Sequence, residues 1–255
     1  MSKSRDIADS AATINFIDTV TSNVQTQIDN IDPLPSQTGN DGLFLTTDGT
    51  DASWGAAGGG LTSVQVITST GTWTKPSGIS KIRVTVIGGG GGACGTTNNG
   101  WISSGAAGGT AIKIIDVSSI SSESVTIGAS GAGGAAGGSS GGAGGTTFFG
   151  THCSSTGGSG GSSFSGGALG GIGSSGDLNL RGGYGNIGAN GTARPGPHGG
   201  GFSYLGPGGA PTSYSNATGN AGQAYGSGGG GGSYQNSDRA GGAGASGVVI
   251  VEEFV

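Results

Sequence analysis

Charge is scarce in this chain. Only 9% of its 255 residues are Asp, Glu, Lys or Arg, and the formal net charge is −5. That removes the basic footprint of a nucleic-acid binder and the cationic face of a membrane-surface helix. No apolar run approaches the roughly 20 residues that span a bilayer, so membrane insertion is not expected. The opening residues, Met1-Ser2-Lys3-Ser4-Arg5-Asp6, have no apolar stretch behind them and do not read as a signal peptide. Cysteine is limited to Cys94 and Cys153, too few for a disulfide framework. Both sit in glycine-rich surroundings where pairing is feasible, but without a secretory signal free thiols are the simpler expectation. Seven prolines and no strict three-residue repeat exclude collagen.

The groups that carry catalysis are also thin on the ground. From Leu61 onward there are two histidines, His152 and His198, and six carboxylates: Asp116, Glu123, Asp177, Asp238, Glu252 and Glu253. His152-Cys153 is one ligand pair without the second that a zinc site requires. Gly-x-Gly-x-x-Gly matches recur by composition alone, with no helix behind them to receive a phosphate. Arg194-Pro195-Gly196-Pro197-His198 reads as a rigid loop. The expectation is a protein that is not an enzyme and needs no cofactor or metal.

Glycine is what the chain has in excess. It supplies 64 residues, and 55 of them fall between Gly88 and Gly247. Glycine loses the most backbone freedom on folding and buries no side chain, so such a stretch should resist folding by itself. Yet Lys81 to Ile87 and Val248 to Val251 bracket it and read as buried strands. A three-residue-per-turn helix of the polyproline II type points its N–H and C=O groups outward. Neighbouring helices can satisfy those groups only where no side chain intervenes, which glycine ensures. Runs such as 128–134 and 226–232 are long enough for two or three such turns. Loose loops in which glycine is merely tolerated are the alternative.

Three regions follow. Residues 1–32 carry a heptad seam with Ile7, Ile14, Thr21 and Ile28 at one position and Ser10, Ile17, Val24 and Ile31 at the other. β-Branched residues at both positions favour three or more strands, so the expectation is a trimeric coiled coil about 40 Å long. Trimerisation is assigned to Ile7, Ile14, Ile17, Val24, Ile28 and Ile31. A helix docked on its own domain, or a disordered segment, is the alternative. Residues 33–60 form a connector in which 43–47, the turn Asp48-Gly49-Thr50-Asp51 and 52–54 read as a β-hairpin.

Residues 61–255 form the main domain, a β-sheet or sandwich with inserted polyglycine II-like segments. Its strands are expected at 64–67, 82–87, 111–117, 124–127 and 248–254, with 70–76 joining the first two and 111–117 pairing with 124–127. Phe148, Phe149, Phe164 and Phe202 are expected in the core. The fold class is thus mainly β, behind an N-terminal helix.

The interruptions in the glycine stretch are rich in aromatics, Asn and Ser, the residues that dominate antibody paratopes. They nominate Asn98, Asn99, Trp101, Arg181, Tyr184, Tyr204, Tyr214, Asn216, Tyr225 and Tyr234 as binding residues. For any single aromatic a packing role is the simpler reading, whereas as a group they favour binding.

The connector Leu34-Pro35-Ser36-Gln37-Thr38-Gly39, followed by residues 42–50 and Ala52-Ser53-Trp54, resembles one common in tailed-bacteriophage tail fibres. Gly71-Thr72-Trp73-Thr74-Lys75-Pro76, the strand ending in Gly88 to Gly92 and the terminal Gly247 to Val251 resemble the glycine-rich domain of phage tail-fibre and receptor-binding proteins. The glycine runs are similar in kind to the polyglycine II adhesins of T-even-like phages, whose recognition loops lie at the helix ends. The resemblance implies a homotrimer made in the host cytoplasm and carried on the virion. It would contact other tail or baseplate proteins and a bacterial surface receptor, either a glycan or an outer-membrane protein. A purely structural fibre tip or spacer is the second reading, and ice binding by a flat glycine face a third.

Overall fold

A computed structural model describes residues 35–47, 49–55, 60–97, 102–163, 166–188, 198–213 and 216–255. The heptad seam, including Ile7, Ile14, Ile17, Val24, Ile28 and Ile31, lies outside the described residues. The chain divides into two compact units, Met1–Gly58 and Gly59–Val255.

In the first unit the expected hairpin is present. Strands β1 (Phe44–Thr47) and β2 (Ala52–Gly55) pair antiparallel, with Leu45 opposite Trp54. The Trp54 indole donates to the Pro35 carbonyl at 2.9 Å, which ties the hairpin to the preceding Pro-rich segment.

The second unit begins with two five-stranded antiparallel sheets. One has the order β11-β6-β5-β12-β3, from strands β3 (Leu61–Ile67), β5 (Lys81–Ile87), β6 (Thr110–Asp116), β11 (Leu178–Leu180) and β12 (Val248–Phe254). The other has the order β10-β9-β8-β7-β4, from β4 (Gly71–Thr74), β7 (Ser122–Thr126), β8 (Thr147–Phe149), β9 (Cys153–Ser155) and β10 (Gly173–Ser174). Alternation along β5 sends Ile82, Val84 and Val86 inward to meet Val249 and Val251, while Trp73, Val125, Phe149 and Cys153 come from the facing sheet. Glu253 is fully buried in this core, and its carboxylate accepts from Trp73 Nε1 at 2.8 Å, Gln65 Nε2 at 2.7 Å and Ser63 Oγ. Three neutral donors replace the water that the carboxylate loses.

Several sequence expectations are corrected here. Residues 71–74 are a strand of the second sheet, anchored by the buried Trp73, rather than a joint between two strands of one sheet. Strand β6 pairs with β5 and β11, and β7 with β4 and β8, so the two consecutive strands do not pair with each other. Val248–Phe254 is a strand as expected, and it runs between β5 and β3. Phe149 is core, but Phe148 is 43% and Phe202 65% exposed, and Phe164 lies outside the described residues.

Beyond the sandwich the strands continue as glycine segments. Residues 88–96 follow β5 directly and are almost wholly buried. Gly88, Gly91 and Cys94 donate their N–H groups to Gly109, Ala106 and Ser103; Gly89, Gly92 and Gly95 to Gly145, Gly142 and Ser139; Gly90, Ala93 and Thr96 to Ala245, Gly242 and Arg239. All nine bonds measure 2.7–3.1 Å. Each successive residue serves a different neighbour, and every third residue returns to the same one. That is a helix of three residues per turn without internal hydrogen bonds.

Its carbonyls are met in the same way. Gly131 and Gly134 donate to Gly90 and Ala93, Gly158 and Gly161 to Gly89 and Gly92, and Gly229 to Gly91. Segment 88–96 is therefore surrounded by three antiparallel and three parallel neighbours, a hexagonal bundle. Polyglycine II-like packing, expected from the glycine runs, is what the hydrogen bonds describe.

Such packing leaves no space for a side chain at the contact positions. A Cβ built on Gly91 would lie 2.1 Å from the Ser159 carbonyl oxygen, and one on Gly90 1.9 Å from that of Ser227. Both obstacles are backbone, so neither can swing away. At Gly166 an added Cβ meets nothing within 4 Å. Gly91→Ala should lower stability by about 3 kcal/mol or more in thermal or urea unfolding. Gly166→Ala should change it by less than about 0.5 kcal/mol.

Candidate functional site

The direction of each glycine segment sorts the nominated residues into three places. Segments leave the sheets at Gly88, Gly128 and Thr156 and return at Gly109, Gly145, Ile172 and Ser246. Among the described residues their far turns include 135–139 and 233–239. Asn98, Asn99, Trp101 and Tyr214 lie outside the described residues.

Asn216 and Tyr234 are at this far end. Asn216 has φ of 37°, which few residues other than glycine adopt. Its Oδ1 accepts from the backbone N–H groups of Gln235, Asn236 and Ser237 at 2.8, 3.0 and 3.2 Å, and its Nδ2 donates to Asn236 Oδ1 at 2.8 Å. One amide thus gathers three consecutive N–H groups and shapes the 234–238 turn. Asn216 positions the far end rather than offering a free group to a ligand.

Arg181 and Tyr184 are on a flank. At three residues per turn Arg181, Tyr184 and Ile187 fall on one side of segment 181–188, and Leu169 and Ile172 on one side of 166–172. The two segments are bonded neighbours, through Gly182 to Gly171 and Gly185 to Ala168, and Gly183 donates to Phe202 on the next segment. Tyr184 is 57%, Leu169 59% and Phe202 65% exposed. Arg181 bridges this flank, with Nη1 donating to the Gly170 carbonyl at 2.9 Å. The result is an exposed aromatic and aliphatic stripe on a backbone held by lateral hydrogen bonds.

Tyr204 and Tyr225 are at the sheet end of the bundle. Tyr204 tips the turn in which Ser203 and Gly206 exchange hydrogen bonds, and Tyr225 follows Ala224, whose N–H reaches the Pro207 carbonyl. The nominated residues therefore do not form one cluster. The stripe partners Leu169, Ile172, Ile187 and Phe202 were not nominated from sequence. The three-residue spacing of 181, 184 and 187 is the signal that could have found them.

Groups with reactive potential are few among the described residues. His152 Nε2 and Glu123 Oε1 pair at 3.0 Å, both partly exposed. Cys94 and Cys153 are free and buried, and burial pushes each thiol up to about 11, so both are protonated at neutral pH. No group of three or more potential metal ligands occurs among the described residues. Non-covalent contact is what the exposed stripe and turns can supply.

A family model described as a glycine-rich domain matches residues 65–253, most of the chain, and the protein belongs to that family. No curated protein matches the chain.

Removing the Asn216 amide isolates its role. Asn216→Ala should speed hydrogen exchange of the Gln235, Asn236 and Ser237 amides several-fold, with Gly229 to Gly231 unchanged. Equal acceleration at both places would mean that the residue supports the whole bundle.

Proposed function

We propose that this member of the glycine-rich domain family is a homotrimeric bacteriophage tail-fibre protein that attaches the virion to its host by non-catalytic contact with a surface receptor. The observation that carries the reading is the exposed stripe of Leu169, Ile172, Tyr184, Ile187 and Phe202 on a backbone fixed by lateral hydrogen bonds. A binding face costs little to order when its scaffold is already rigid. Large rings and small hydrogen-bonding residues are a combination suited to varied surfaces. The heptad seam and the tail-fibre-like connector support a trimer, in which three weak sites gain avidity on one particle.

The far turns add to the same role. Side chains are free to vary there, because the Cβ exclusion that operates inside the bundle ends where the bundle ends. A spacer would need the bundle but not the exposed rings.

Labelled full-length protein and a Tyr184→Ala/Phe202→Ala variant would be titrated onto a panel of bacterial strains that support infection. Binding should weaken by about tenfold or more in the variant, with an unchanged melting temperature. Absence of binding by the unaltered protein to every susceptible strain would overturn attachment and leave the spacer reading.

A further inference from the structure

A groove of about 330 Å³ opens on the sandwich, lined by Phe148, Gly150, Thr151, Cys153, Ser154 and Ser175. Its lining includes none of the stripe residues, and it lies at the end of strands β8 and β9. Phe148 and Ser154 are register partners and share the outward face, because Phe149 and Cys153 on either side point into the core. Phe148 is 43% exposed, an aromatic ring left half in water beside polar neighbours.

The walls are built rather than incidental. Lys113 on β6 sends its Nζ to the Ser175 carbonyl at 2.9 Å and the His152 carbonyl at 3.1 Å, binding together the two turns on either side of the groove. Asp177 Oδ2 accepts from the Ile114 N–H at 2.8 Å, which pins the Ser175 turn a second time. The Lys113 ammonium is thereby directed at carbonyl oxygens, and Glu123 is paired with His152. None of the lining residues carries a formal charge.

Ser175 is the anomaly. Its φ is 60°, and among the described residues only Asn216 shares a positive φ without being glycine. Asn216 uses its side chain to tie a turn. Ser175 has no such use: among the described residues no protein group bonds its hydroxyl, nor those of Thr151 and Ser154. Elsewhere this chain places glycine at positive φ, as at Gly137, Gly138 and Gly150. A serine kept at a conformation that favours glycine points to a job for its hydroxyl outside the fold.

The geometry points to a binding site for an uncharged pyranose sugar. Its apolar C–H face would lie on the Phe148 ring, and its hydroxyls would exchange hydrogen bonds with Thr151, Ser154 and Ser175. The volume is at the small end of ligand sites and suits one or two sugar rings. The lining is uncharged and the nearby Lys113 ammonium is already engaged by two carbonyls, which favours a neutral sugar over an acidic one. The site is independent of the attachment reading, since it uses none of the stripe residues.

The test uses the full-length, isotopically labelled protein and D-glucose, D-galactose, N-acetyl-D-glucosamine and D-glucuronate, each titrated to about 100 mM and followed by amide chemical shifts. At least one neutral sugar should move residues 148–154 and 173–177 saturably, with D-glucuronate weaker. Phe148→Ala should weaken that binding about tenfold or more while leaving the remaining spectrum intact. Ser175→Gly should weaken it several-fold while the melting temperature stays the same or rises, a divergence that a purely structural serine would not produce. Tyr184→Ala/Phe202→Ala should leave it unchanged, so failure of this site and failure of the attachment reading are separate results. No saturable shift with any neutral sugar, equal binding by Phe148→Ala, or preference for D-glucuronate would overturn the proposal.

Discussion

The missing Cβ governs this molecule. In the glycine bundle the backbone has no partner within its own segment, so each N–H must find a carbonyl on a neighbour. Those neighbours approach closely enough for such bonds only where side chains are absent. The nine N–H groups of residues 88–96 therefore depend on glycines at 131, 141, 144, 158, 161, 241 and 244 as much as on their own. A single methyl group inserted there meets fixed backbone and leaves donors unpaired, each orphan costing about 1–3 kcal/mol.

The sandwich solves the problem that glycine creates. A glycine bundle buries little apolar surface, so it cannot easily offset its own loss of conformational entropy. Its segments are delivered in register by strands: β5 leads into 88–96, segment 102–109 leads into β6, and 239–247 leads into β12. The apolar core of Trp73, Val84, Phe149 and Val251 fixes those strands, and the bundle inherits their order. Rigidity then reaches the exposed stripe and the far turns with only a few small buried apolar groups, such as Ala107 and Ala168, beneath them. The functional reading rests on this transfer of order from sheet to bundle.

Physical reasons separate what was legible in sequence from what was not. Strands β5 and β12 were legible because β-branched residues run through them, and the β1–β2 hairpin because Asp48-Gly49 marks its turn. Strands β8 to β11 are two or three residues long and built from Thr, Phe, Ser, Gly, Leu, Cys and Asn, with too little alternation to detect. The expected pairing of 111–117 with 124–127 fails because the buried Val125 and Trp73 direct β7 into the opposite sheet. The three-residue helix was predictable from glycine, yet its register was not. It is readable only after the fact, in pairs three apart such as Gly141/Gly144 and Gly241/Gly244. Phe148 is exposed rather than core because period-two alternation beside Phe149 sends one ring inward and the other out. Ser175 gave no signal, since its interest lies in a backbone angle.

Residue-resolved native-state hydrogen exchange of the full-length protein is the most direct test. If the lateral bonds form a continuous lattice fixed by the sandwich, the amides of Gly88 to Thr96 should be among the slowest in the protein. They should exchange in the same global opening as Val84 and Val251. Exchange of Gly88 to Thr96 at the rates of exposed turns, with the sandwich still protected, would contradict the account.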